Sequence, residues 1–136
     1  MTLQTTTTEI LLVEDSPTQA AALAALLIHQ GYAVRMATNG REALAILAQD
    51  RPALVISDIA MPDMDGYTLC RAIKWDTALA QVPVILMTSQ EDSQRASKGR
   101  GCGADSFVAK PYDPQCLLSS IRLALLRAAS RRDPTP

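Results

Sequence analysis

The stretch LVISDIAMPDMDGY, residues 54–67, decides the fold. Leu54, Val55, Ile56 and Ser57 run straight into Asp58, and a Met-Pro step, two further aspartates and a glycine follow. A near-continuous apolar run bounded by turn residues is the pattern of a strand covered on both faces. A carboxylate at the end of such a strand is held at the edge of a sheet, where it either caps a turn or does chemistry. The residues elsewhere in the chain decide between the two.

Two runs resemble this one: EILLV at 9–13, and VPVILMT at 82–88, where Pro83 is tolerable only near the start of a strand. YAVRMA at 32–37 alternates, as a strand covered mainly on one face does, and DSFVA at 105–109 supplies a fifth strand. Helical segments separate them. SPTQAAALAALLIHQG at 16–31 has Ser16 as its cap, Pro17 in its first turn and Gly31 at its exit, with Leu23, Leu26, Leu27 and Gln30 on one side. NGREALAILAQD at 39–50 and GYTLCRAIKW at 66–75 follow. EDSQRASKGRGCG at 91–103 is a poor helix, carrying Gly99, Gly101 and Gly103. DPQCLLSSIRLALLRAAS at 113–130 is amphipathic, with Asp113 as cap and Pro114 at its first position. Five strands alternating with five helices predict one doubly wound α/β domain, its strands parallel, its crossovers right-handed and helices on both faces.

A chain of 136 residues suits one compact domain, and 48% hydrophobic against 20% charged residues favours a packed core. A net charge of −1 and 4% aromatic residues argue against a nucleic-acid surface or a membrane surface. Cys70, Cys102 and Cys116 match no zinc spacing, and their odd number argues against a disulfide framework; reduced thiols in or near a core are expected. Residues 1–8 read as a frayed leader, 9–128 as the domain, and 129–136 as a polar tail or the start of a linker. No apolar run reaches the length of a membrane span, and a cytoplasmic location is expected.

In open parallel sheets, ligands sit beyond the carboxyl ends of the strands. Glu14 and Asp15 follow the first apolar run, Asp58 ends the third, Thr88 and Ser89 the fourth, and Lys110 and Pro111 the fifth; the second offers only Thr38 and Asn39. Three carboxylates at one edge repel unless a cation intervenes, and Mg²⁺ suits oxygen donors of this kind. Lys110 adds a compact positive charge and Thr88 a hydroxyl, both suited to phosphoryl oxygens. No GxxxxGK[ST] loop is present to cradle a nucleotide. The phosphoryl group is therefore expected on the protein itself, with Asp58 as the attacking carboxylate.

LLVEDSP, VISDIAMPDMDGY, VILMTS and GADSFVAKPYD resemble, in this order, the receiver domains of two-component response regulators. The resemblance runs from about Glu9 to about Ala128. It implies the strand order 2-1-3-4-5 and a cis peptide between Lys110 and Pro111. It implies that Asp58 is the phosphoacceptor, that Glu14 and Asp15 hold Mg²⁺, Asp15 more directly, and that Ala60 lends its backbone carbonyl. Thr88 and Lys110 would contact the phosphoryl group, and Phe107 takes the position of a switch aromatic. The implied partners are a sensor histidine kinase or histidine phosphotransfer protein and an output partner or domain. The implied docking face, for a partner or a second copy, is formed by the fourth helix, the last strand and the last helix. Thr88 and Phe107 would move with the fourth helix on phosphorylation. Ala60 and Gln90 stand where the family varies residues that tune phosphoryl lifetime.

Two other functions compete. A phosphatase of the aspartyl-phosphate type shares the Asp and Mg²⁺, but usually carries a second acid two residues after the nucleophile, where this chain has Ala60. A degenerate receiver would act only as a binding module, against which the complete set of five site residues argues. The phosphoacceptor itself would turn over no free metabolite. Other polar and aromatic residues take simpler readings. Asp63 and Asp65 read as solvated turn residues, and Gly66 as loop-to-helix geometry. His29 and the arginines 127, 131 and 132 read as helix-end residues. Trp75 is expected to pack locally, Tyr112 to lie near the surface, and Phe107 to be at least partly in the core.

Overall fold

The computed structural model describes residues 7–89 and 100–132. Five strands form one parallel sheet: β1 (Glu9–Val13), β2 (Ala33–Ala37), β3 (Leu54–Asp58), β4 (Val84–Thr88) and β5 (Ser106–Ala109). Their order is β2-β1-β3-β4-β5, as the resemblance implies. Among the described residues the α-helices are α1 (Pro17–His29), α2 (Gly40–Gln49), α3 (Gly66–Trp75) and α4 (Pro114–Arg132). Residues 90–99, most of the predicted 91–103 helix, lie outside the described residues, and Arg100–Cys102 forms a 3₁₀ turn.

The sheet separates two apolar layers. Leu11, Val13, Val55 and Leu86 face Ala43 and Leu47 of α2 and Leu69 and Ile73 of α3. Ile10, Leu12, Ile56 and Ile85 face Leu23 and Leu27 of α1 and Leu117 and Ile121 of α4. Successive strand residues thus serve opposite layers, which is why β1, β3 and β4 read as unbroken apolar runs. Each such side chain contributes about 1.5–3 kcal/mol on burial. In α1 the buried stripe is Ala20, Leu23, Ala24 and Leu27. Leu26 is only partly covered and Gln30 is exposed, so the apolar side lies one turn nearer the N-terminus than the sequence reading placed it.

The helices start where their caps dictate. Ser16 Oγ accepts from Gln19 N at 3.3 Å, Asn39 Oδ1 from Glu42 N at 2.8 Å, and Asp113 Oδ2 from Cys116 N at 3.1 Å. Asp65 does the same for α3, accepting from Thr68 N at 2.8 Å, so it is a helix cap and not only a turn residue. Asp63 does take a turn conformation, with φ 71°. α4 runs to Arg132; Ala128 on it is fully buried, and Arg131 reaches Asp105 Oδ1 at 3.4 Å. Asp105 also accepts from Lys74 Nζ at 3.0 Å and Val84 N at 2.7 Å, tying α3 and α4 to the amino ends of β4 and β5.

Three expectations about side chains change. Trp75 is 81% exposed at the end of α3 and does not pack locally, because the inward stripe of that helix is already filled by Leu69, Cys70 and Ile73. Phe107 is 36% exposed: β5 is an edge strand whose inward residue is Val108, so its neighbours point the other way. Cys70 and Cys102 are buried, with Cys70 Sγ donating to Cys102 O at 3.3 Å, whereas Cys116 is exposed. Burial pushes the Cys70 thiol well above its ordinary pKa.

Gly66 sets how closely α3 approaches the end of β3. A Cβ there would lie 2.5 Å from Asp58 O and 2.9 Å from Ile59 Cα, both backbone atoms that cannot swing aside. Gly66→Ala is therefore expected to destabilise the domain by about 2 kcal/mol, in the range of overpacked sites. Gly101, with nothing within 4 Å of its Cβ position, is the control: Gly101→Ala stays within about 0.5 kcal/mol. Urea unfolding of both variants checks this.

Candidate functional site

The strand order reverses between β1 and β3, and the carboxyl ends of these two strands meet side by side. Val13 pairs with Ser57, so the residues after them, Glu14 and Asp58, are neighbours across the sheet. Asp58 pairs with Met87, and Thr88 with Ala109, which brings Thr88 and Lys110 to the same edge. Lys110 N donates to Thr88 O at 2.6 Å, and the Lys110–Pro111 peptide is cis, as the resemblance implies.

Carboxylate oxygens of Glu14, Asp15 and Asp58 all lie within 4.8 Å of one another. Glu14 is 6% exposed and Asp58 9%, while Asp15 faces solvent. Lys110 Nζ lies 3.1 Å from Asp58 Oδ2 and 3.2 Å from Glu14 Oε1. Asp58 Oδ1 accepts from Ile59 N at 3.0 Å, and Glu14 Oε2 from Ser16 N at 3.1 Å. Thr88 is buried at the same edge, and Ala60 follows on the exposed loop. The sequence-predicted residues 14, 15, 58, 88 and 110 thus converge. Phe107 stands three residues before Lys110 on β5, on the strand's exposed side.

The Lys110 ammonium meets two of the three carboxylates, Glu14 and Asp58, and the charges perturb one another. Burial raises the Glu14 pKa above the ordinary carboxylate range, with the Asp58 charge adding to the rise; the Ser16 N–H and Lys110 oppose it only in part. Burial works against the Lys110 charge, but Asp58 and Glu14 outweigh it and hold the Lys110 pKa above its usual value. Three clustered carboxylates with an excess of negative charge are a donor set that fits a hard divalent cation.

Gln19 was not predicted at the site. Its Oε1 accepts from Lys110 Nζ at 2.8 Å. Beside it, a cavity of about 600 Å³ is walled in part by Leu23, Met87, Pro111 and Tyr112, so Tyr112 is half-buried. No spacing in the sequence signals this contact: Ser16-x-x-Gln19 reads as a capping pair within α1.

The pattern of the response regulator receiver domain matches residues 10–122, and the chain belongs to that family. It is therefore a receiver domain of two-component signalling. It is 34% identical to Protein PilH of Pseudomonas aeruginosa over 116 residues, covering 85% of this chain and 96% of that protein. It is 33% identical to the DNA-binding dual master transcriptional regulator RpaA of Synechocystis, covering 90% of this chain and 50% of RpaA. Against the Response regulator PleD of Caulobacter vibrioides it covers 25% of the longer protein. The chain thus spans half or less of the length of some curated relatives and nearly all of another. Among solved structures, the signal receiver domain of a signal transduction histidine kinase from Syntrophus aciditrophicus has TM-score 0.83 and 46% identity, over 87% of this chain and 89% of that one. Chemotaxis response regulator CheY4 of Vibrio cholerae has TM-score 0.81 and 29% identity, over 88% and 99%. No helix among the described residues is long and apolar enough to cross a membrane.

The raised Glu14 pKa fixes a sign. Folding favours the neutral carboxyl, so the penalty is absent below the unfolded pKa and complete once pH exceeds the folded one. Glu14→Gln is therefore expected to raise the unfolding free energy of the metal-free protein at pH 7. The gain should shrink as the pH falls through the carboxylate range. Denaturant unfolding of both proteins between pH 4 and 7 reads it, at pH values on either side of about 4.3.

Proposed function

We propose that the domain is a phosphorylation-dependent switch in which Asp58 accepts a phosphoryl group from a partner's phosphohistidine. The observation that carries this reading is the convergence of Glu14, Asp15 and Asp58 within 4.8 Å with Lys110 Nζ 3.1 Å from Asp58 Oδ2. The donor is a sensor histidine kinase or a histidine phosphotransfer protein, by likeness to the family. An Asp58 carboxylate oxygen forms a bond to phosphorus as the phosphorus–nitrogen bond breaks, and the imidazole leaves with the electron pair and takes up a proton. Hydrolysis later returns the carboxylate: water attacks phosphorus and inorganic phosphate departs.

The chain's own residues position and neutralise. β3, buried along its whole length, fixes the nucleophile, and the Ile59 N–H holds Asp58 Oδ1 in one orientation. Lys110 then meets the charge that builds on the phosphoryl oxygens, and the Thr88 hydroxyl takes another of them. Glu14, Asp15 and Asp58, with the backbone carbonyl of Ala60, would hold Mg²⁺. Bound there, Mg²⁺ supplies positive charge that offsets repulsion between the carboxylates and the incoming phosphoryl group.

The domain turns over no free metabolite in this reading; it catalyses only its own phosphorylation and dephosphorylation. Thr88 and Phe107 relay the change to the surface of β5 and α4. Leu123 and Leu126, 47% and 69% exposed on α4, offer apolar area to an output partner or a second copy. Incubation with acetyl phosphate and Mg²⁺ followed by intact-mass measurement tests the assignment. One added phosphoryl group is expected in the wild type and none in Asp58→Asn. An adduct that persists in the variant would overturn it. A steady-state phosphatase assay separates this function from the aspartyl-phosphate phosphatase reading: sustained turnover of free phosphomonoesters is expected only of the latter.

A further inference from the structure

The ammonium of Lys110 has three protons to donate, and among the described residues three acceptors surround it: Asp58 Oδ2 at 3.1 Å, Glu14 Oε1 at 3.2 Å and Gln19 Oε1 at 2.8 Å. The shortest contact is to the one neutral partner. Gln19 is also the only one of the three outside the carboxylate cluster. We propose that Gln19 is a positioning residue that aims the Lys110 ammonium at the phosphoryl group on Asp58, an inference that rests on the proposed phosphoacceptor function.

The local structure explains how Gln19 is free for this task. In a capping box with Ser16 as cap, the side chain of residue 19 reaches back to the cap's backbone N–H. Half of that arrangement is present: Gln19 N donates to Ser16 Oγ at 3.3 Å. The other half is replaced, because Ser16 N donates to Glu14 Oε2 at 3.1 Å. The site carboxylate has taken the donor that Gln19 would have used. The amide of Gln19 turns to Lys110 instead, and since lysine only donates, its oxygen faces the ammonium.

The chemistry of the three acceptors differs once the site works. Asp58 reacts, and its free charge becomes an acyl phosphate. Glu14 belongs to the ligand set for the cation. Of the three, only the Gln19 oxygen is neither part of the reacting group nor assigned to the cation. It holds the ammonium without neutralising its charge, as a fourth carboxylate would. Removing it leaves a long, rotamer-rich chain tethered only by the reacting carboxylate and by a carboxylate assigned to the cation.

Two measurements test this on Gln19→Met, which keeps the length of the side chain and loses the acceptor. By nitrogen-15 NMR of the lysine ammonium groups, proton exchange at Lys110 Nζ is expected to be about threefold to tenfold faster in the variant, the size of one hydrogen bond. Unchanged exchange would overturn the proposal, and this arm is independent of any phosphorylation. In the second arm, the phosphorylation rate at saturating acetyl phosphate is expected to fall by a similar factor, about threefold to tenfold. The acetyl phosphate concentration for half-maximal rate should stay within about twofold, since uniform binding is untouched. In a Lys110→Ala background, Gln19→Met should have no further effect on rate. An equal loss in both backgrounds would mean that Gln19 acts on the fold and not through Lys110, and would overturn the inference. A wild-type protein that takes up no phosphoryl group would instead overturn the proposed function.

Discussion

Everything at the carboxyl edge of the sheet answers to one constraint: three carboxylates are held together, with the Lys110 ammonium against two of them. Parallel pairing of β1 and β3 makes Glu14 and Asp58 neighbours, and no side-chain rotation can undo that. Burial then removes the solvent that would screen them, which is why the Glu14 pKa rises. Lys110 relieves part of the repulsion, and its own pKa rises in return. A domain chosen for stability alone would place a serine or an amide at one of these positions. The excess of negative charge makes this edge a donor set that fits a hard divalent cation.

The scaffold is rigid where this edge needs it. β3 is buried at every residue, so Asp58 cannot move away from Glu14 by displacing its strand. Gly66 lets α3 sit against the Asp58 and Ile59 backbone, and Asp65 caps that helix at the same point. At the far end of the sheet, Lys74, Asp105 and Arg131 hold the starts of β4 and β5 together with α3 and α4. Register fixed at the amino ends carries through to Thr88 and Lys110 at the carboxyl ends. The outward side of β5 is different: Phe107 is partly exposed there, on an edge strand of the sheet.

Much of this was legible in the residues. Apolar runs at 9–13, 54–58 and 84–88 announce strands because both faces of a parallel sheet are covered, and the polar residue that ends or follows each run stands at the carboxyl edge. Caps at Ser16, Asn39 and Asp113 are local chemistry and read directly. Contacts between distant residues were not legible. Lys74 meets Asp105 across 31 positions, and Lys110 meets Gln19 across 91, with no periodicity to betray either. Gln19 carried a misleading local signal, since its spacing from Ser16 suits a capping box. Trp75 and Phe107 were misplaced for a related reason: aromatic character suggests burial, and only the packing of their own elements shows which side is already full.

The electrostatic account is tested most directly by calorimetric titration of the protein with Mg²⁺. Binding at a single site is expected for the wild type. Asp15→Asn removes one of its three charged ligands and should weaken it at least about tenfold, a loss near 1.4 kcal/mol. Absence of binding, or binding indifferent to the loss of the Asp15 charge, would contradict the claim that these carboxylates are gathered to hold a cation.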